Sequence, residues 1–283
     1  MSRTDQQEIV AIKQGDRWRK AAMDLKDSYV QAKPFPFVVI DNFLDLEIAK
    51  MASRAFPFSN DKTWTNYIHV NEKKFGLNKR DNIPTPLINV IDSLQKDEFI
   101  EILTSLTGIS GLMPDEQLAG GGLHQMYPGG YLNVHSDFLI HPVKKNLMRR
   151  INLILFLSDD WSESYGGELE FWNNDMTNCV ERIQPRFNRC VIFNTNETSY
   201  HGCPDVLRGP EGFSRKTIAL YYYTEYAHAP AKLYTDYKAR PADKNKLAIY
   251  IDSKAVGVYS WLKQKLNLND DFVSRCLRFF KRH

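Results

Sequence analysis

The sequence has no long apolar run, no Cys-x-x-Cys pair, no internal repeat and no low-complexity tract. Without about 18 consecutive apolar residues there is no candidate membrane span. Residues 1–20 are polar and hold no apolar stretch of the length a secretory leader needs. The four cysteines, Cys179, Cys190, Cys203 and Cys276, show no paired spacing. The resulting expectation is a cytoplasmic protein with reduced thiols, beside which the formal glycosylation sequon Asn196-Glu197-Thr198 carries little weight. An excess of one charge is also missing. The 37 Lys+Arg and 34 Asp+Glu leave +3, and no segment concentrates it until the last dozen residues, so no nucleic-acid partner is expected. Gly120-Gly121-Gly122 lacks the Gly-Lys-Ser/Thr ending of a phosphate loop and reads as a turn.

What is present is the material of an ordinary globular fold. The 283 residues, 43% hydrophobic and 25% charged, can bury a full core without disulfide or metal staples. Residues 5–31 place Ile9, Ile12, Trp18, Ala22, Leu25 and Tyr29 among polar neighbours, which predicts an amphipathic helix. Pro34-Phe35-Pro36 stops it. A buried strand over 37–40, a short helix over 46–56 and two helices within 83–108 follow. From residue 118 the texture changes. Short β-rich runs at 123–127, 131–134, 150–157, 168–172, 179–183, 190–194 and 217–224 alternate with Gly, Pro and Asn turns. That spacing predicts a sandwich or barrel, with the preceding helices layered against one face. Residues 225–250 read as irregular. Two amphipathic helices are expected near 254–266 and 269–281, the second capped by Asn269-Asp270-Asp271.

The chemistry concentrates in the segment Tyr127-Pro128-Gly129-Gly130-Tyr131-Leu132-Asn133-Val134-His135-Ser136-Asp137. Side chains two apart on an extended backbone point the same way, so His135 and Asp137 can grip one ion. His-x-Asp alone is weak evidence, since solvated turns contain it often. A third candidate, His201, follows the strand 190–194, and a barrel can return that strand end to the first pair. Two imidazoles and one carboxylate on one face leave three open positions, the donor set of non-heme Fe(II) oxygenases. Fourteen residues further on, Arg215, Thr217 and Ala219 share one face of a strand while Lys216, Ile218 and Leu220 share the other. Parity favours Arg215 over Lys216 as an interior cation able to bind a carboxylate with two parallel hydrogen bonds.

These residues, with Gly166-Gly167-Glu168-Leu169, Ile183-Gln184-Pro185-Arg186-Phe187, the strand 37–40 and the Asp41-Asn42-Phe43-Leu44 that follows it, resemble the prolyl-4-hydroxylase-like branch of the Fe(II)/2-oxoglutarate-dependent dioxygenase superfamily. The resemblance covers residues 34–226 and is strongest over 121–224. It implies a mainly β fold with flanking helices (α+β), a cupin-like jelly roll or double-stranded β-helix. It divides the chain into a helical lead-in (1–33), the oxygenase domain (34–226) and a C-terminal segment (227–283). It implies Fe(II) on His135, Asp137 and His201, with 2-oxoglutarate, O2 and, as a reductant, ascorbate. Arg215 would pair with the distal carboxylate of 2-oxoglutarate, Tyr127 would hydrogen-bond the same cosubstrate, and Thr217 would assist. No catalytic residue beyond the metal ligands is implied. One departure stands out: Phe156 occupies a position where some prolyl hydroxylases carry a tyrosine, so that contact is either lost or supplied by Asn152.

The implied activity is hydroxylation of an unactivated C–H bond coupled to oxidative decarboxylation of 2-oxoglutarate. Two substrate classes are compatible, a protein residue of prolyl type and a sugar or lipid-linked glycan. A non-catalytic sensor keeping the metal and 2-oxoglutarate site is the alternative of another class, and a zinc hydrolase using the same ligands leaves Arg215 without a purpose. Among the remaining features, His124 is expected to line the core or pocket, and His69, His141, His228 and His283 to lie on the surface. Trp161 and Trp172 bracket a loop (158–167) that would pack or act as a lid. The basic tail, with Arg275, Arg278, Lys281 and Arg282 among Phe272, Leu277, Phe279 and Phe280, is expected to pack or form a homo-oligomer, with peripheral contact to an anionic membrane as the sharper alternative.

Overall fold

The computed structural model describes residues 3–59, 62–226 and 234–266. Five helices and thirteen strands follow in the order α1 (Arg3–Gln31), β1 (Phe37–Ile40), α2 (Leu46–Arg54), β2 (Thr65–His69), β3 (Glu72–Leu77), α3 (Thr85–Gln95), α4 (Asp97–Thr107), β4 (Met113–Pro114), β5 (Gly122–Met126), β6 (Tyr131–Ser136), β7 (Leu147–Phe156), β8 (Leu169–Trp172), β9 (Cys179–Ile183), β10 (Cys190–Asn194), β11 (His201–Cys203), β12 (Arg215–Glu225), β13 (Asp236–Tyr237) and α5 (Lys246–Leu266). All strand pairings are antiparallel, along the path β1-β10-β7-β12-β5-β3-β6-β11-β8-β9, with β13 on β6, β2 on β3 and β4 on β12.

This path does not lie flat. Phe193 near one end of it packs on Phe171 (ring centroids 5.0 Å) and on His201 (4.8 Å) near the other. The sheet therefore curls until its two ends face each other, the double-stranded β-helix of a mainly β protein with flanking helices.

Alternation along the strands sorts the side chains into two cores. Ile151, Leu153 and Leu155 of β7 and Ile218, Leu220 and Tyr222 of β12 face outward, against the helices α1–α4, in one large cluster. Phe156, Leu169, Phe171, Val191 and Phe193 form a second cluster inside the curl. The first helix belongs to the outer core. Trp18 stacks on Phe43 (5.2 Å), meets Phe99 edge-on (4.9 Å) and donates its indole N–H to the Phe43 carbonyl (2.9 Å). Burying each such ring stabilises the fold by about 1.5–3 kcal/mol. The triple glycine is explained by close approach. Gly122 has φ +90° and its missing Cβ would stand 2.4 Å from the Leu77 carbonyl oxygen, so only glycine lets β5 close on β3 there.

Several details differ from the expectations. The hairpin β2–β3 was not anticipated, because its residues Thr-Asn-Tyr-Ile-His and Glu-Lys-Lys-Phe-Gly-Leu bury little on their outer face. The segment 225–250 contains β13, and α5 begins at Lys246, ahead of the expected 254. The expected helix over 269–281, with His228, His283 and Cys276, lies outside the described residues. His141 is fully buried, not superficial. Its Nδ1 accepts from the amides of Val143 (3.1 Å) and Lys144 (2.9 Å), and its Nε2 faces Asp115 at 3.1 Å. Trp161 and Trp172 are packing residues: Trp161 donates to the Gly166 carbonyl (2.8 Å) and Trp172 to Glu170 (2.8 Å). Among the described residues no helix is long and apolar enough to cross a membrane.

Asn188 joins the entry segment to the barrel. It has φ +59°, is 1% exposed, accepts from the Leu44 amide and donates to the Leu44 carbonyl, both at 2.8 Å. Replacing it with Ala orphans both buried backbone groups and leaves a left-handed backbone without its amide support. Asn188→Ala is expected to lower the unfolding free energy in urea by about 2–4 kcal/mol; a change below about 0.5 kcal/mol contradicts the assignment.

Candidate metal centre

The end of β6 and the start of β11 are neighbours in the ladder, and His201 lies directly opposite His135. Asp137 follows β6 by one residue. The three side chains are buried, each offers a ligand atom within 4.8 Å of the others, and they form the metal-competent cluster found among the described residues. Their hydrogen bonds fix the orientation. His135 Nδ1 lies 2.9 Å from the Asn133 carbonyl and His201 Nδ1 2.8 Å from the Ser199 carbonyl. A carbonyl oxygen only accepts, so each Nδ1 carries the proton and each Nε2 keeps its lone pair for a cation. Those two nitrogens converge on Asp137, His135 Nε2 at 3.7 Å from Oδ1 and His201 Nε2 at 3.4 Å from Oδ2. Burial pushes the His201 imidazole down to about 4, against the opposing pull of Asp137, so it is neutral near pH 7.

Asp137 is held from behind. Its Oδ2 accepts from Asn152 Nδ2 at 2.8 Å and meets Arg149 Nη2 at 3.1 Å, while Arg149 Nε donates to Asn152 Oδ1 at 2.7 Å. Burial alone would raise the Asp137 carboxyl. The charge of Arg149 outweighs it and holds the group well below the usual carboxylate range. The Arg149 guanidinium is 1% exposed and lies 3.3 Å from the centroid of the Tyr221 ring, and its Nη1 has no hydrogen-bond partner. With Oδ2 engaged by these donors, Oδ1 is the oxygen left for a cation.

The cavity beside this cluster measures about 180 Å3, and Arg215, Thr217 and Lys74 are on its wall. Arg215 points inward. Its Nε donates to the Gly167 carbonyl (2.8 Å) and its guanidinium lies 4.9 Å from the Phe156 ring centroid. A Cβ on Gly167 would stand 3.1 Å from Arg215 Cδ, so a glycine is what admits the side chain there. Burial lowers the Arg215 pKa, and the group makes no ion pair among the described residues. A buried guanidinium without an anion is a receptor for one. Thr217 donates to the His124 carbonyl at 3.3 Å.

Two of the residues expected to touch a cosubstrate are engaged by other partners. Tyr127 is one position past β5, whose His124 and Met126 face the cavity; its hydroxyl accepts from the Ser59 amide (3.4 Å) and its ring meets Phe75 edge-on. Asn152 is on the cavity wall, but its amide is taken up between Asp137 and Arg149. Two important residues were not foreseen. Strict alternation from Ile151 would turn Arg149 toward the helices. An irregularity in the β7–β12 register, opposite Tyr222 and Tyr223, shifts the parity and brings it inside. Lys74 is the other, in a run that reads as a solvated hairpin. It pairs with Glu72 at 3.1 Å, and Glu72 also meets His69 at 2.9 Å. Burial works to raise the Glu72 carboxyl, but Lys74 and His69 bring it down to about 2. His124 is half-buried on the cavity wall, and desolvation, assisted by Lys74, lowers it to about 3.

Residues 121–223 match the family described as the 2OG-Fe(II) oxygenase superfamily. The match covers 103 of the 283 residues, among them His135, Asp137, His201 and Arg215, and the fold is shared with solved prolyl hydroxylases. A prolyl hydroxylase from Trichoplax adhaerens, solved with a peptide of the hypoxia inducible factor oxygen degradation domain, is similar in structure at 16% identity, with a TM-score of 0.52 over 75% of this chain and 91% of that one. A Pseudomonas putida prolyl-4-hydroxylase matches at 12% identity, with a TM-score of 0.51 over 74% of this chain and 100% of that one. No curated protein matches the sequence.

The clamp on Asp137 makes a test possible. Arg149→Met leaves a buried carboxylate unpaired, which is expected to cost about 3–5 kcal/mol in the metal-free protein. A divalent ion supplies the missing positive charge, so saturating Ni(II) should restore much of the loss in thermal or urea unfolding. An equal deficit with and without Ni(II) contradicts the shared-carboxylate arrangement.

Proposed function

We propose that the chain is an Fe(II)- and 2-oxoglutarate-dependent oxygenase that hydroxylates an unactivated C–H bond, with its catalytic domain over residues 34–226 between a helical lead-in (1–33) and a C-terminal segment (227–283). The reading rests above all on one observation: two imidazole Nε2 atoms and a carboxylate oxygen converge on the wall of a cavity that is also lined by a buried guanidinium without an ion-pair partner among the described residues. In this reading His135 Nε2, Asp137 Oδ1 and His201 Nε2 hold Fe(II), and Arg215 anchors the distal carboxylate of 2-oxoglutarate. Bound iron and the keto acid would supply O2 activation coupled to oxidative decarboxylation of the cosubstrate.

The remaining work falls to the chain. The Asn133 and Ser199 carbonyls fix the imidazole tautomers. Arg149 and Asn152 hold Asp137 so that one oxygen faces the ion. Phe156, where some relatives carry a hydroxyl, gives the Arg215 guanidinium an aromatic floor. Thr217, its hydroxyl donating to a backbone carbonyl, shapes the wall beside the cosubstrate. The buried aromatic lining keeps bulk water from the reacting centre.

For the substrate, a prolyl-type protein residue is the first reading, in keeping with the peptide-bound Trichoplax neighbour. A sugar or lipid-linked glycan is the second. It is favoured by a wall that presents the Glu72–Lys74 pair beside Tyr67, Tyr221 and Tyr237, groups suited to hydroxyls. Incubation of the protein, Fe(II) and 2-oxoglutarate with a cell extract, followed by a search for products heavier by one oxygen, distinguishes the two. Succinate release without added substrate separates an enzyme from a sensor.

Arg215→Ala is expected to raise the 2-oxoglutarate concentration required for half-maximal succinate release by about 10–100-fold, the equivalent of about 1.5–3 kcal/mol, while Ni(II) affinity stays within about twofold of the parent. Equal loss of metal and cosubstrate binding would assign Arg215 a structural role.

A further inference from the structure

Helix α5 buries one face and exposes another of unusual composition. On the buried side Ser253 Oγ accepts from the Tyr237 amide (3.0 Å), the Ile249 carbonyl accepts from Asn71 (3.1 Å), and Gly257 lies so close to the Tyr234 ring that a Cβ would stand 3.0 Å from it. Asp252, at the edge of that side, meets His69 Nδ1 at 2.7 Å. The opposite side carries Leu247 (71% exposed), Ile251 (57%) and Val258 (59%) at positions that share a helical face, flanked by Tyr250 (59%) and Tyr259 (39%). The hairpin end gripped by Asp252 also exposes Ile68 (53%) and Val70 (38%). Water-facing apolar side chains are common singly, but an exposed helix face composed of them marks a contact surface.

The charge of the same stretch names the partner. Residues 246–283 contain eight basic residues (Lys246, Lys254, Lys263, Lys265, Arg275, Arg278, Lys281 and Arg282) against Asp252, Asp270 and Asp271. Asp252 is already engaged by His69 and Asn71. The stretch thus carries +5 where the whole chain carries +3, leaving the other residues net acidic. On α5 itself Lys246, Lys254, Lys263 and Lys265 stand against Asp252 alone, and an apolar helical face on such a basic helix is complementary to an anionic lipid headgroup layer over acyl chains.

We propose that the exposed face of α5, with the tip of the β2–β3 hairpin, docks on an anionic membrane surface. The surface lies on the outside of a wall of the metal cavity. Asp252 on α5 meets His69, His69 meets Glu72, and Glu72 pairs with Lys74 in that cavity. The proposal stands independently of the oxygenase reading, because it uses none of the metal or cosubstrate residues.

The test is co-sedimentation of the full chain with vesicles of phosphatidylcholine, with and without phosphatidylglycerol. The parent protein is expected to bind the phosphatidylglycerol vesicles, more weakly at high salt, and to bind pure phosphatidylcholine poorly. The triple variant Leu247→Ser, Ile251→Ser, Val258→Ser should lose at least about tenfold in partitioning, with its circular dichroism and Ni(II) binding unchanged. Lys254→Glu should weaken binding without altering the apolar face. Equal partitioning of parent and triple variant, or equal binding to both vesicle types, overturns the proposal. So does a concentration-dependent dimer that the triple variant dissociates, which would assign the face to a second copy of the chain.

Discussion

Everything in this site turns on a single carboxylate held by one cation and placed to meet a second. Asp137 is buried, and burial by itself would neutralise it. Arg149 and Asn152 keep it ionised by engaging one oxygen. Its other oxygen then faces a space bounded by two imidazole lone pairs. Divalent metal binding requires just this: an anion that stays charged in the absence of the ion, and neutral nitrogens that need not shed protons to bind it. The arrangement costs solvation free energy, which the fold offsets through the guanidinium, its stacking on Tyr221 and the two backbone carbonyls that orient the histidines.

The curled sheet exists in a form that serves this carboxylate. Pairing of β6 with β11 sets His135 opposite His201 across the ladder, although 66 positions separate them in sequence. The long central strands β7 and β12 divide their residues between an outer helical core and the inner cavity. A register irregularity early in β7, opposite Tyr222 and Tyr223, then breaks the alternation and delivers Arg149 to the inside. The same two strands thus supply hydrophobic stability on one face and both buried guanidiniums on the other. Second to the Asp137 clamp is the chain of contacts from Asp252 through His69 and Glu72 to Lys74, which couples α5 and the hairpin to the opposite wall.

Much of this was legible in the sequence, and the parts that were not share a physical cause. Strands β1, β9 and β10 begin and end where the β-rich runs do, because each is bounded by turn residues. The triad stood out because metal ligation needs particular donors, and His-x-Asp fixes two of them on one side of an extended segment. Arg215 could be separated from Lys216 by parity, since no irregularity intervenes along the start of β12. Arg149 could not, because a bulge defeats parity and is invisible in a run such as Met-Arg-Arg-Ile-Asn. Lys74 and Glu72 look like solvated hairpin residues until β3 is known to pair with both β5 and β6. Tyr127 was placed by resemblance, and the end of β5 turns its hydroxyl toward Ser59. His141 seemed superficial because nothing local reveals that Asp115 waits for it across the fold.

The most direct examination of the account is an iron-edge anomalous diffraction map from crystals grown anaerobically with Fe(II) and 2-oxoglutarate. The account predicts one strong peak between His135 Nε2, Asp137 Oδ1 and His201 Nε2, with the distal carboxylate of the keto acid seated against Arg215. Iron located away from these three atoms, or a keto acid whose carboxylates leave Arg215 unpaired, would contradict it.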